Sequence, residues 1–159
     1  MIIRQAINRV VTIILFSIFI YFPAGYVLAD DAAVFVGAET CGECHPDQYD
    51  TYKAHAKKAK SYSSIQRMAD KLTTAELEAC YACHTTGYSK PGGFQSAHET
   101  PHLKDAGCEV CHGPGSLHIE SEDPSDLKEE ISIEDCMECH NTERIAAFGF
   151  KPLIFGGAH

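Results

Sequence analysis

The eight cysteines of this 159-residue chain fall into four pairs of one spacing, Cys41/Cys44, Cys80/Cys83, Cys108/Cys111 and Cys136/Cys139, each followed at once by a histidine. The units read CGECH, CYACH, CEVCH and CMECH and end at His45, His84, His112 and His140. Two thiols at this spacing can add to the two vinyl groups on one edge of a porphyrin, and the adjacent imidazole then lies under the ring to bind iron. Zinc sites, redox dithiols and disulfide frameworks also use CxxC pairs, but none of them needs the trailing His. With 9 His in 159 residues, a chance His after all four pairs has a probability of about one in a hundred thousand. The pattern therefore predicts four covalently attached haem c groups, with the eight Cys as attachment points and the four His as ligands to iron.

Each iron has a sixth position, closed by a distal ligand or left open to a substrate. The remaining His are His55, His98, His102, His118 and His159, and Met68 is the one Met outside both the leading segment and the motifs. Bis-His coordination is thus the expected state, and it gives lower potentials than a Met/His pair. A distal ligand must reach the far face of the porphyrin from its own proximal His. The six residues from His112 to His118 span at most roughly 20 Å when extended, barely a path around the ring edge. His118 and His55, the latter ten residues past His45, are therefore better placed to serve other haems. Such crossed ligation would tie distant parts of a short chain together. His98 and His102, beside Pro101, are either exposed loop residues or a cap for the haem on His84.

These groups must be positioned by helices. The motifs recur at steps of 39, 28 and 28 residues, a repeat of sites and not of a folding unit. A helix is expected over Pro46 to Leu72, with Tyr49, Tyr52, Ala56, Ala59, Tyr62, Ile65 and Met68 at helical intervals and Lys53, Lys57, Lys58 and Lys60 on the rest. A second is expected from near Thr74 and a third from about Ile133 to Phe148. Loops are marked by Lys90-Pro91-Gly92-Gly93, by Gly113-Pro114-Gly115 and by the acidic stretch from Glu120 to Glu130. The expected fold is mainly α with long loops and little or no β-sheet, a compact multihaem cytochrome organised around four stacked haems.

Residues 1–29 read as a signal peptide, with Arg4 and Arg9 ahead of an apolar stretch from Val10 to Phe22 and small residues at Val27-Leu28-Ala29. The stretch is too short for a membrane span, and the first Cys, Cys41, is too far on for a lipid anchor at the cleavage point. The expected mature domain is 30–159, periplasmic or extracellular and without stable membrane insertion. Removing the leader leaves 11 basic against 22 acidic residues, a net formal charge of −11. That balance excludes nucleic acid as a partner and favours redox partner proteins with a basic docking face.

The stretches CGECHPDQYDTYKAHAKKA, CYACHTTGY, GCEVCHGPGSLH and FGFKPLIFGGAH resemble the cytochrome c-554 family. The resemblance implies a helical tetrahaem protein that transfers electrons through closely packed haems. It further implies that His118 closes the haem on His45, His159 the haem on His112, and His55 the haem on His140, while the haem on His84 lacks a strong distal ligand. The chain departs from the family in being rather short and in carrying His98 and His102. An electron carrier is the leading expectation. The alternatives are an enzyme reducing a small nitrogen oxide at an open His84 haem, with His98, Glu99, His102 and Asp105 as nearby proton donors, and a subunit of a haem filament. Five spare His suffice for four haems within one chain, which ranks the filament last.

Overall fold

The computed structural model describes residues 32–142. The chain divides into two units, Met1–Ala32 and Ala33–His159, and all the described residues after Ala32 belong to the second. The expected signal peptide, the apolar tail of Phe148, Phe150, Leu153, Ile154 and Phe155, and His159 lie outside the described residues.

Seven α-helices are described: α1 (Ala38–Cys44), α2 (Pro46–His55), α3 (Tyr62–Gln66), α4 (Thr74–His84), α5 (Glu109–His112), α6 (Ser116–Ser121) and α7 (Ile133–Met137). Short 3-10 turns at Lys57–Lys60, Ala69–Lys71, Pro101–Leu103 and Pro124–Asp126 lie between them. Among the described residues there is no strand, and no helix is long and apolar enough to cross a membrane. The expected mainly α fold with long loops is therefore the observed one.

One helix over Pro46 to Leu72 is not observed. The helix stops at His55, Ala56 is extended (φ −80°, ψ 117°), and the chain resumes as the 3-10 turn and α3. The cause is a set of polar demands further along the chain. Ser61 is turned inward, where its hydroxyl accepts from the Ala106 amide (2.9 Å) and donates to the His84 carbonyl (2.9 Å). A straight helix from Pro46 would not meet both partners. The inward residues are nevertheless Tyr52, Ala56, Ala59 and Ile65, all buried, whereas Met68 is 54% exposed. Tyr52, Ala56 and Ala59 form one small cluster with Ala38 and Tyr49 at its edge, and the Tyr52 hydroxyl donates to the Ala106 carbonyl at 3.1 Å. Gly42, inside the first motif, admits the Tyr49 ring to this cluster: a Cβ there would lie 2.7 Å from Tyr49 Cγ.

A second cluster joins Phe35, Phe94 and Leu103 to the half-buried rings of Tyr62, Tyr81 and Tyr88. Tyr81 meets Phe94 edge-on at 5.1 Å and Tyr88 at 5.3 Å, so the second motif's helix is packed by its own first variable residue. Buried Thr86 links this cluster to the loop before the third motif. Its amide donates to the Leu103 carbonyl (2.8 Å), its carbonyl accepts from Phe94 (2.9 Å), and its hydroxyl donates to the Asp105 carbonyl (2.6 Å).

The helix that carries the second motif begins with a capping box one residue earlier than the sequence suggests. Thr73 Oγ1 accepts from the Glu76 amide (3.4 Å) and the Glu76 carboxylate accepts from the Thr73 amide (2.9 Å). These bonds hold the Glu76 carboxyl below its usual range. A group depressed in this way contributes stability above the ordinary carboxylate pKa and loses it as pH falls through the folded value. Thr73→Ala should therefore cost about 1 kcal/mol near neutral pH, the amount usual for a lost N-cap, read as a lower denaturant midpoint, and the difference from the wild type should shrink as pH falls through the depressed folded pKa and the carboxylate protonates. The third expected helix also begins as read, at Ile133, with Ser132 and Asp135 forming a box, but α7 ends at Met137 and the motif closes in a turn. Its expected continuation beyond residue 142 lies outside the described residues.

Candidate functional site

A helical turn brings residues i, i+3 and i+4 to one face, and that is what the CxxCH spacing requires. The His45 amide donates to the Cys41 carbonyl (2.9 Å), His112 to Cys108 (3.1 Å) and His140 to Cys136 (2.9 Å), while the second motif lies wholly inside α4. Both thiols and the imidazole of each unit thus leave one helical turn on the same side. In three motifs the first Cys adopts the same orientation, its thiol donating back to the carbonyl four residues earlier: Cys41 to Gly37 (3.6 Å), Cys80 to Glu76 (3.2 Å) and Cys136 to Ser132 (3.6 Å). No disulfide joins any of the eight cysteines.

The imidazoles carry a second regularity. Nδ1 of His84 lies 3.0 Å from the Ser61 carbonyl, Nδ1 of His112 lies 2.8 Å from the Lys128 carbonyl, and Nδ1 of His118 lies 2.9 Å from the Asp123 carbonyl. A carbonyl only accepts, so Nδ1 carries the hydrogen and Nε2 presents its lone pair. This is the arrangement that orients a metal-ligating imidazole and raises its basicity.

Two histidines 73 positions apart come together. The His45 and His118 rings have centroids 6.2 Å apart and planes 15° from parallel. Direct stacking would need about half that distance, whereas two imidazoles bound to opposite sides of one metal, with bonds of about 2 Å and ring radii of about 1.1 Å, have centroids about 6 Å apart. The residues therefore fit a haem iron between them, with Cys41 and Cys44 as the attachment points. Haem, when bound, supplies a one-electron iron couple whose potential is set by its two axial ligands and its burial.

The attachment points also converge across motifs. The thiols of Cys41 and Cys108 are neighbours. Their interaction and burial push the Cys41 thiol far above its usual range, while the same interaction lowers Cys108 to about 7. Burial raises Cys111, which faces Cys136 and the half-buried Lys58. The first and third motifs are thus neighbours, as are the third and fourth. Lys58, expected on the side of the helix away from its apolar positions, stands beside the third motif.

In the second motif the Cys83 thiol, expected to share the attachment of the second ring with Cys80, is half-buried and makes no hydrogen bond among the described residues. The reason lies in α4. Cys83 follows Tyr81 by two residues, roughly 200° around the helix, so the face that packs on Phe94 and Tyr88 is opposite the one that bears this thiol. Cys80 is likewise half-buried, and its one hydrogen bond stays within its own helix. The two thiols therefore keep the spacing that attachment requires.

His55, at the exposed end of α2, has no hydrogen bond or ring contact among the described residues. His159, the expected partner of His112, lies outside them. The four groups considered as proton donors near His84 are engaged separately. His98 is exposed, and Glu99 caps its own turn with Ser96 (3.0 Å). His102 packs at Gly37, ahead of the first motif, and Asp105 accepts from the Tyr62 amide (2.9 Å).

Sequence reasoning missed Glu109, the first variable residue of the third motif. Its side chain is 3% exposed and accepts from three backbone amides. A Glu between two attachment cysteines gives no local sign of this, because its partners lie up to 73 residues away.

Residues 40–113 match the family described as cytochrome c554 and c-prime. Over 102 residues the chain is 36% identical to cytochrome c-554 of Nitrosomonas europaea, an alignment covering 58% of this chain and 43% of that protein. The chain thus spans less than half the length of the curated relative it matches. No solved structure matches it.

Proposed function

We propose, from the match of residues 40–113 to the cytochrome c-554 family, that the chain is an exported electron carrier holding four covalent haems. Cys41/Cys44, Cys80/Cys83, Cys108/Cys111 and Cys136/Cys139 would attach one ring each, and His45, His84, His112 and His140 would supply the proximal ligands. His118 would be the distal ligand on the haem of His45, with His55 and His159 in the same role on the haems of His140 and His112.

The observation that carries this reading is the His45–His118 pair. Its spacing suits an intervening iron, and the two rings come from the first motif and from α6, which follows the third. A bis-His iron has no vacant coordination position and holds a low potential, so its task is outer-sphere exchange. The chain's part is to fix the ligands, exclude water from the ring faces with Tyr49, Tyr52 and the Tyr62/Tyr81/Tyr88 group, and bring neighbouring motifs to van der Waals range. The adjacency of Cys41 to Cys108 and of Cys111 to Cys136 supports a continuous path through the first, third and fourth centres. The acidic balance favours a protein partner with a basic face, in the periplasm or outside the cell.

The test is a pyridine haemochrome count on the purified mature protein together with electron paramagnetic resonance of its oxidised form. Four haems per chain are expected, with at least three low-spin. A count other than four overturns the reading, and a set of wholly high-spin signals overturns the ligand assignment.

A further inference from the structure

Glu109 is a buried carboxylate in the third motif whose hydrogen bonds all go to backbone amides of other segments. Oε1 accepts from Val36 N (2.9 Å) and Gly115 N (2.8 Å), and Oε2 accepts from Gly37 N (2.8 Å). No lysine or arginine forms an ion pair with it among the described residues. Hydrogen bonds to an ionised acceptor are about twice as strong as neutral ones.

The three amides have a common destination. Val36 and Gly37 lead directly into α1, which carries Cys41 and Cys44 and ends against His45. Gly115 is the N-cap of α6, and His118 stands in that helix. One carboxylate therefore fastens the roots of both short helices that present the paired imidazoles. We infer that Glu109 is the positioning residue that sets the His45–His118 axial pair, so that the third motif governs the coordination geometry of the first haem.

Apolar packing adds little to this: α6 contains no buried residue, and α1 meets the Tyr52 cluster only through half-buried Ala38 and Gly42. Gly37 is bound to this role by its backbone: its φ of +89° aims the amide at Oε2, and a Cβ there would lie 3.0 Å from the His102 carbonyl oxygen. Glutamine, with one acceptor and one donor, cannot serve amides on both oxygens. Next to the clasp, Val34 N donates to Ser116 Oγ (2.8 Å) and Ser116 N to the Val34 carbonyl (3.2 Å), tying the same two segments without the carboxylate. That pair is the control, because its loss loosens the segments while leaving Glu109 in place.

The inference rests on the proposed ligation of haem by His45 and His118, and the test separates the two. In the mature holoprotein, hydrogen exchange of the Val36, Gly37 and Gly115 amides reports the clasp itself. They should be protected in the wild type and exchange about tenfold faster or more in Glu109→Gln. Glu109→Gln should keep four haems and change one low-spin ferric signal in electron paramagnetic resonance, by a moved g value or conversion to high-spin, with the other signals unmoved. Ser116→Ala should leave that signal in place. If Glu109→Gln does not mature, Gly37→Ala, strained at φ +89° and displacing the same amide, takes its place with the same expected change. Wild-type amides exchanging at loop rates, an unchanged spectrum in the clasp variant, or an equal change in Ser116→Ala would each overturn the inference. Protected amides in a chain with fewer than four haems would instead leave the clasp standing and sink the ligand assignment on which the inference was built.

Discussion

Replacing His118 by alanine is expected to turn one haem of the four from low-spin to high-spin, open it to carbon monoxide in the ferrous state, and leave the haem count unchanged. The expectation starts from the 6.2 Å separation of the His45 and His118 rings and from the Nδ1 contact of His118 with the Asp123 carbonyl, which turns Nε2 outward. Removing the imidazole leaves the first motif intact, so attachment through Cys41 and Cys44 and ligation by His45 should survive. Packing should survive as well, because α6 buries no residue and its ends are held by Gly115 and by the turn at Glu122. Axial ligands set haem potential, so the potential of this one centre should move and the other three should stay. His98→Ala is the matched control, an exposed imidazole without a hydrogen bond, and should change nothing. Carbon monoxide failing to bind to His118→Ala, with all signals low-spin, would show that His118 is not an axial ligand.

The parts of this picture legible in the sequence are those written in local spacing. Four CxxCH units determine where thiols and proximal imidazoles leave the chain, and a turn of helix is the one local structure that brings them to one side. The helical character of the segments around Tyr49, Thr74 and Ile133 was likewise readable from period and caps. The break at Ala56 was not, because Tyr52, Ala56, Ala59 and Ile65 keep their helical spacing across it and the cause, inward Ser61, answers to partners at His84 and Ala106. Nor does the spacing of the motifs tell that Cys41 would meet Cys108, since equal units give no sign of which neighbours they find. His102 could not be placed from its position beside Pro101, since what receives it is Gly37, far earlier in the chain. Glu109 was invisible for the same reason. A carboxylate is ordinarily a solvated group, and only the folded backbone reveals three amides converging on it. Local chemistry was therefore legible, while relations between motifs, which determine how the centres act on one another, depended on long-range polar contacts.

The chain without attached haem should not fold cooperatively. Its own core is small: among the described residues eight hydrophobic side chains are buried, and three of them, Ala56, Ala59 and Ala106, are alanines. The described helices run from 4 to 11 residues, below the length of about 12 to 15 at which an isolated helix is even marginal in water. Several large side chains near the motifs, Ile119, Ile133 and Met137, are about half exposed, so apolar surface is present without partners in the chain itself. Covalent rings and crossed ligands would supply both the apolar surface and the links between segments that so short a chain lacks, as metals and disulfides do in other small domains. A leaderless form kept from the attachment machinery should thus give a broad, non-cooperative denaturant titration, where the mature protein gives a sharp one. The motifs should also differ in weight. Cys136→Ser with Cys139→Ser touches α7, which buries nothing, and should leave a three-haem protein that still unfolds cooperatively. Cys108→Ser with Cys111→Ser removes the ring beside Glu109 and against the first motif, and should abolish recovery of folded protein. Equal tolerance of the two losses, or a sharp transition from the haem-free chain, would mean that the polypeptide core alone holds the fold and that the haems are its passengers.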